Sequence, residues 1–400
     1  MNILIITPRI PYPPFRGDKL KIYNIAKILS RNNSVRILTF RRNNKHKEYL
    51  KNFESLGINL ETVRLSFLES IFWIFTAFFT KLPFQAALYK SMKMKKRIDE
   101  LSSNGNFDVI YVHWIRIAQY FNSIINNNNS INVIDYTDAV SLNLSRLLNV
   151  EKNPIRKLIL NIERKKIIEH ERLAEKYHTL FICSELDKNF LAERGIEANY
   201  KLLYNGIDTD YFQPISTKFD LNRIIFTGNM SYRANYDAVL YFVNEIFPII
   251  KKSIPEAKFF IVGQNPPKKI IKLESPDIFI TGFVKDIKAE YLKSAVNIAP
   301  TRFGAGTLNK VLESIALGIP VVATSIAIGG LPKELVKYVF IADNPTEFTI
   351  KVLEVIKNPK IREELMVEGA NVIRNMLSWD KIVGDFENYL VDELKKNLNK

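Results

Sequence analysis

The chain has 400 residues, enough for two domains that each bury a core, and 47% of them are apolar, which excludes a disordered protein. Lysine and arginine number 57 against 42 aspartates and glutamates, a formal net charge of +15, so polyanions are the expected partners. With no zinc-finger spacing and no RNP-type aromatic motif, nucleic acid is excluded in favour of an anionic membrane surface or a phosphorylated substrate. The single cysteine, Cys183, excludes an intramolecular disulfide framework.

Residues 1–10, MNILIITPRI, begin on a strand and lack the pattern of a signal peptide, so a cytoplasmic location is expected, peripheral on the inner face of the membrane. The strand at 2–7 runs into Pro8–Phe15, which holds four prolines, and then into Gly17 ahead of the helical pattern Leu20–Leu29. A glycine loop there suits close backbone approach to a ligand. Strands are predicted at Val35–Phe40 and Asn59–Leu65. The stretch Arg64–Lys81 contains IFWIFTAFF, too short to span a bilayer. It reads either as an interfacial helix beside the basic cluster Lys90–Arg97 or as a core helix of the first domain. Phe107–Trp114 is a strand running into a loop, which puts His113 at a strand C-terminus, facing the ligand crevice of an open α/β sheet. Asp135 and Asp138, at the exit of the strand Ile131–Tyr136, suit acceptor binding or helix capping. Leu158–Tyr177 reads as a charged helix with Glu163, Arg164, Lys165 and Lys166 on a solvated face. Thr179–Cys183 is a strand, with Ser184 as the following N-cap.

Residues 201–215, KLLYNGIDTDYFQPI, mark the domain boundary. The expected division is 1–204, 205–376 and a final helix over 377–400 that crosses back to the first domain. Asp208-Thr209-Asp210 has the letters of a DxD metal motif, but it sits in the connection and no metal site is assigned to it. Asn222–Gly228 is a strand ending in glycine, its loop carries Arg233, and a helix follows from about Asp237. Lys258–Gly263 and Ile278–Val284 are further strands with glycines at their ends. Residues 300–330, PTRFGAGTLNKVLESIALGIPVVATSIAIGG, read as strand end, glycine loop, helix and strand. Leu308, Leu312 and Ile315 form the buried stripe of that helix, and Gly318 and Pro320 stop it. A phosphate would sit well at the helix start, Ala305, Gly306, Thr307 and Leu308, with Lys310 and Glu313 three apart on one helix face.

The segment NKVLESIALGIPVVAT resembles the carboxy-terminal signature of GT-B glycosyltransferases of family 4, the glycosyl transferases group 1. The likeness runs from Met1 to about Leu390 and is strongest over 222–330, and the NKVLE wording is similar to a subgroup associated with exopolysaccharide assembly. It implies an α/β fold of two Rossmann-like domains facing each other across a cleft. It also implies retaining transfer of a sugar from a nucleotide diphosphate sugar to a saccharide or lipid-linked saccharide hydroxyl, in bacterial surface polysaccharide or glycolipid assembly, with no metal and no cofactor beyond the donor. In the family two glutamates eight residues apart contact the donor sugar and the ribose; Glu313 matches the second, and Ala305 stands where the first would be. Gly17 resembles the first glycine loop, His113 the histidine near the reacting centre, and Gly282, Phe283 and Val284 the segment beside the base. The family's pyrophosphate-neutralising arginine and lysine positions, near Gly228, are Asn229 and Ala234 here, so the resemblance gives that task to Arg233 with Lys310. Two other readings stand beside it: a GT-B nucleotide-sugar 2-epimerase, and a non-catalytic nucleotide-sugar-binding or scaffold protein.

Overall fold

The computed structural model describes residues 1–42, 46–104, 106–124, 130–358 and 360–398. The chain divides into two compact units, Met1–Tyr204 together with Trp379–Lys400, and Asn205–Ser378.

Among the described residues the first unit is built on seven strands: β1 (Asn2–Thr7), β2 (Ser34–Arg41), β3 (Asn59–Arg64), β4 (Val109–His113), β5 (Ile131–Thr137), β6 (Thr179–Ile182) and β7 (Tyr200–Leu202). They pair in the order β3-β2-β1-β4-β5-β6-β7, every pair parallel. The central strands are continuous apolar runs because helices cover both faces of a parallel sheet; Ile3 to Ile6 of β1 are fully buried. In the Gly17–Leu29 helix the buried residues Ile22, Ile25, Ala26 and Leu29 form one stripe at helical spacing. The Trp379–Leu398 helix packs on the same sheet: the Phe386 ring centroid lies 5.4 Å from Tyr111 and 5.0 Å from Phe181. Its Tyr389 hydroxyl shares a hydrogen bond of 2.7 Å with Thr179.

Four sequence readings change here. Gly17 is the first residue of its helix rather than part of a loop, and a Cβ added there would meet open space. Glu163 is buried and not on a solvated face, because its carboxylate accepts the Phe84 and Gln85 amides (2.7 and 3.0 Å) at the start of the Phe84–Ala87 helix. Local charge pattern cannot reveal an acceptor required by a helix start 79 residues away. Asp135 caps no helix; it is fully buried and pairs with Lys21 at 2.8 Å. The core-helix reading of the aromatic segment fails as well, since in the Phe67–Ala77 helix Phe67 is 78% and Phe75 63% exposed.

The second unit carries six strands: β8 (Asp220–Thr227), β9 (Lys258–Val262), β10 (Ile278–Gly282), β11 (Ser294–Ala299), β12 (Val321–Ala323) and β13 (Val339–Ile341). Their order is β10-β9-β8-β11-β12-β13, again all parallel. Phe226, Phe242, Phe259 and Phe348 lead its core. In both sheets the order reverses beside the first strand of the unit, and the strand C-termini flanking that reversal are where open α/β sheets bind ligands.

Candidate active site

In the second unit the reversal falls between β8 and β11. Beyond β8 the chain turns at Gly228, φ 153°, and beyond β9 at Gly263, φ 145°. A Cβ on Gly263 would lie 1.8 Å from the Gly228 carbonyl oxygen, and one on Gly228 would lie 2.7 Å from Asn235 Nδ2 and 3.3 Å from Lys310 Nζ. Only glycine permits two strand ends to touch backbone to backbone. Gly282 ends β10 next door, and its carbonyl accepts the Gly263 amide at 3.0 Å.

Beyond β11, residues 300–308 lead to the Asn309–Leu317 helix, which Gly318 ends in the left-handed conformation, φ 70°. Leu308 stands at the N-cap and offers no side-chain cap, so the helix start is open to an anionic group. Thr307 Oγ1 donates to the Gly330 carbonyl at 2.7 Å, and a Cβ on Gly330 would strike the Gly306 carbonyl at 2.2 Å, so these two loops are locked together. Arg302 binds both carboxylate oxygens of Asp237 (2.9 and 2.7 Å), which ties the loop after β11 to the helix after β8.

Lys310 and Glu313 point from this helix into the strand ends. Lys310 Nζ donates to Asn235 Oδ1 at 3.0 Å and lies 3.5 Å from the centroid of the Phe226 ring. Burial pushes its ammonium down to about 7, with the Glu313 charge opposing the fall. Asn235 is itself held by donating Nδ2 to the Asn229 carbonyl at 3.0 Å. Glu313 accepts the Tyr291 hydroxyl at 2.9 Å, and that hydroxyl also lies 2.6 Å from Thr227 Oγ1. Burial raises the Glu313 carboxyl, while Tyr291 and Lys310 pull it back. The result is one cation poised near neutrality and one hydrogen-bonded carboxylate at a glycine-rich strand terminus, which suits a diphosphate and a pair of hydroxyls.

The structure therefore gathers Gly228, Lys310 and Glu313 with the run Ala305, Gly306, Thr307 and Leu308. Arg233, half-buried, is the first residue of the Arg233–Tyr241 helix, which begins earlier than the expected Asp237. Phe283 is 55% exposed, and Val284 packs against the cluster of Ile225, Val262 and Tyr291. Asp208, of the Asp-Thr-Asp triplet, accepts the Tyr211 amide at 3.0 Å in a turn. Sequence reasoning missed Asn235, Tyr291, Arg302 and Asp237. Asn235 left a trace as a polar residue two positions after Arg233, and Asp237 as the expected start of the helix.

Gly17 and His113 belong to the first unit. His113 is 1% exposed; its Nδ1 lies 3.2 Å from Thr7 Oγ1 and its Nε2 3.4 Å from Thr137 Oγ1. Burial drives the imidazole down to about 4, against the pull of Asp135, so it is neutral near pH 7. Around the same strand ends Arg9 pairs with Asp18 at 2.9 Å, and the Arg116 guanidinium lies 3.6 Å from the centroid of Trp114. Trp114 and Thr137 both hold positive φ, 80° and 65°, a strain that gathers where strands end at functional surfaces.

Two parallel sheets of this strand order, each reversing beside its first strand, give the chain the GT-B fold of two Rossmann-like domains. Residues 222–358 match the family described as Glycosyl transferases group 1, and the resemblance read from NKVLESIALGIPVVAT is borne out. The chain is 24% identical over 405 residues to an uncharacterised 44.6 kDa protein in the cps region of Klebsiella pneumoniae, covering 95% of this chain and 97% of that one. It superposes on sucrose-phosphate synthase from Thermosynechococcus elongatus with a TM-score of 0.72 at 12% identity, over 99% of this chain and 100% of that one. For Anabaena HepE in complex with UDP the TM-score is 0.69 at 13% identity, over 98% and 100% of the two chains. For a glycosyltransferase from Rickettsia africae it is 0.68 at 15% identity, over 99% of each.

Proposed function

We propose that the protein is a retaining, metal-independent glycosyltransferase. It would move a sugar from a nucleotide diphosphate sugar to the hydroxyl of a saccharide or lipid-linked saccharide, at the cytoplasmic face of the membrane, in surface polysaccharide or glycolipid assembly. The observation that carries the reading is the meeting of Lys310, Glu313 and the Gly228 turn at the β8/β11 reversal, inside the stretch that matches the family. Anabaena HepE, solved with UDP and with UDP-glucose, supports a nucleotide-sugar donor, and the cps-region relative supports a capsule or exopolysaccharide context. Lys310, Arg233 and the start of the Asn309–Leu317 helix neutralise the departing diphosphate, Glu313 holds the ribose hydroxyls, and the 282–284 backbone meets the base. His113 is assigned to orienting the transferred sugar.

Calorimetric titration with a panel of nucleotides and nucleotide sugars, with and without chelator, followed by a turnover assay with saccharide acceptors, tests this. Chelator-insensitive binding of one diphosphate nucleotide and glycosylated product of retained anomeric configuration are expected. Ala305, where the family places its sugar-contacting glutamate, favours a second reading as a binding protein. Nucleotide-sugar binding without any turnover would establish that reading, and a 2-epimer formed without acceptor would establish an epimerase.

A further inference from the structure

The Phe67–Ala77 helix presents apolar residues on the side that its neighbours leave uncovered. Phe67, Ile71, Phe72 and Phe75 are all exposed, and Phe79 in the turn that follows is 79% exposed. The inward side is held by Ser70, whose hydroxyl donates to the Leu88 carbonyl at 3.2 Å. The Pro154–Glu171 helix carries two apolar stripes. One, with Ile167, enters the core; the other, Ile155, Leu158, Ile159 and Ile162 at helical spacing, is exposed, with Ile155 at 70%.

The two helices that carry these faces are joined at one point. Lys166 of the second helix donates to the Ala77 carbonyl that ends the first, and its Nζ lies 4.7 Å from the centroid of Phe84. The Phe84 ring packs 4.8 Å from Phe78, and the Phe84 amide is bound by Glu163. Clustered exposed apolar surface of this kind marks an interaction site. Among the described residues no helix is long and apolar enough to cross a membrane.

We propose that these two helices form a single docking face for an anionic lipid bilayer. Charge selects that occupant. Segments 66–100 and 152–166 hold six lysines or arginines each, against three acidic residues in the first, two of which pair with Lys95 and Lys96, and one in the second, Glu163, which is buried. Exposed aromatics and aliphatics flanked by lysine and arginine match the boundary between acyl chains and anionic headgroups. A second copy of the chain fits poorly, because a symmetric pairing would bring two strongly basic faces together. The inference rests on the proposed function only for the leaflet involved.

Vesicle flotation of the full chain, without nucleotide or acceptor, tests it. The protein is expected to float with phosphatidylglycerol-containing vesicles and to bind phosphatidylcholine alone about tenfold more weakly, with binding to the anionic vesicles falling as salt rises. Phe75→Ser with Phe79→Ser, and separately Leu158→Ser with Ile159→Ser, are each expected to reduce binding about tenfold while the far-UV melting curve is unchanged. Wild-type flotation by both variants overturns the proposal, as does equal binding to both lipids. Absence of flotation together with a concentration-dependent dimer that both variants split would make the face an interface between copies instead. Failure of glycosyl transfer with flotation intact would count against the proposed reaction and leave the docking face standing.

Discussion

Lys310 sits beneath the Gly228 turn with its ammonium already close to losing its proton, and on the proposed function this would tie nucleotide binding to pH. Below about 7 the side chain is charged before a ligand arrives; above it, a diphosphate must draw a proton onto Nζ. UDP affinity is therefore expected to fall as pH rises from about 7 toward the ordinary lysine value of 10.5. Calorimetry in buffers of different ionisation enthalpy should show proton uptake, and Lys310→Met should remove both effects. Affinity that stays flat across that range would contradict the placement of the phosphates. Glu313→Ala is expected to abolish UDP binding at concentrations that saturate the wild type, while costing about 1–3 kcal/mol of stability through the hydrogen bond taken from Tyr291. Unchanged UDP affinity in this variant would remove Glu313 from the ribose role. That the two residues share one short helix behind a glycine loop was legible in the sequence. Their partners were not, because Asn235 lies 75 positions from Lys310 and Tyr291 lies 22 from Glu313, and such meetings exist only once the sheet has formed.

Among the elements, glycines that look alike in sequence do different jobs. Gly263→Ala would drive a methyl group into the Gly228 carbonyl at 1.8 Å, so about 2 kcal/mol or more of destabilisation is expected by chemical denaturation. Gly17→Ala meets open space in a first helical turn, so stability should stay the same or rise by up to about 1 kcal/mol. A tolerated Gly263→Ala would mean that the two strand ends separate readily. The central strands were read well because they are continuous apolar runs between turn signals, whereas the three-residue strands β7 and β13 were not read. Ser184 was read correctly as a cap, accepting the Asp187 amide at 3.0 Å, since N-capping is decided within four residues. Glu163 and Asp135 were misread for the opposite reason. Each answers a distant group, the Phe84–Ala87 helix start in one case and Lys21 in the other. The Phe67–Ala77 helix could not be settled from its composition, because an apolar face carries no mark of whether protein or solvent lies against it.

At the scale of the whole molecule, the first unit is interrupted: the chain leaves it after Tyr204 and re-enters it at Trp379. Ile382, Val383, Phe386 and Leu390 of the returning helix are buried. Each contributes roughly 1.5–3 kcal/mol, so together they rival the roughly 5–15 kcal/mol by which a domain is stable. A chain stopped after Ser378 is thus expected to lose protease resistance across residues 1–204 while 205–378 remains protected. Uniform wild-type resistance in the truncated chain would show that the helix is dispensable. The return of a final helix to the first unit was expected from the family resemblance, but the contacts that hold it, such as Phe386 with Tyr111, were not legible, since they exist only once the sheet has formed. On the ribosome this connectivity reverses the usual order in which domains mature from the amino terminus. The segment made second can finish folding while the one made first still waits. Every nascent copy therefore carries a seven-stranded sheet with part of one face uncovered until residues 379–398 have emerged.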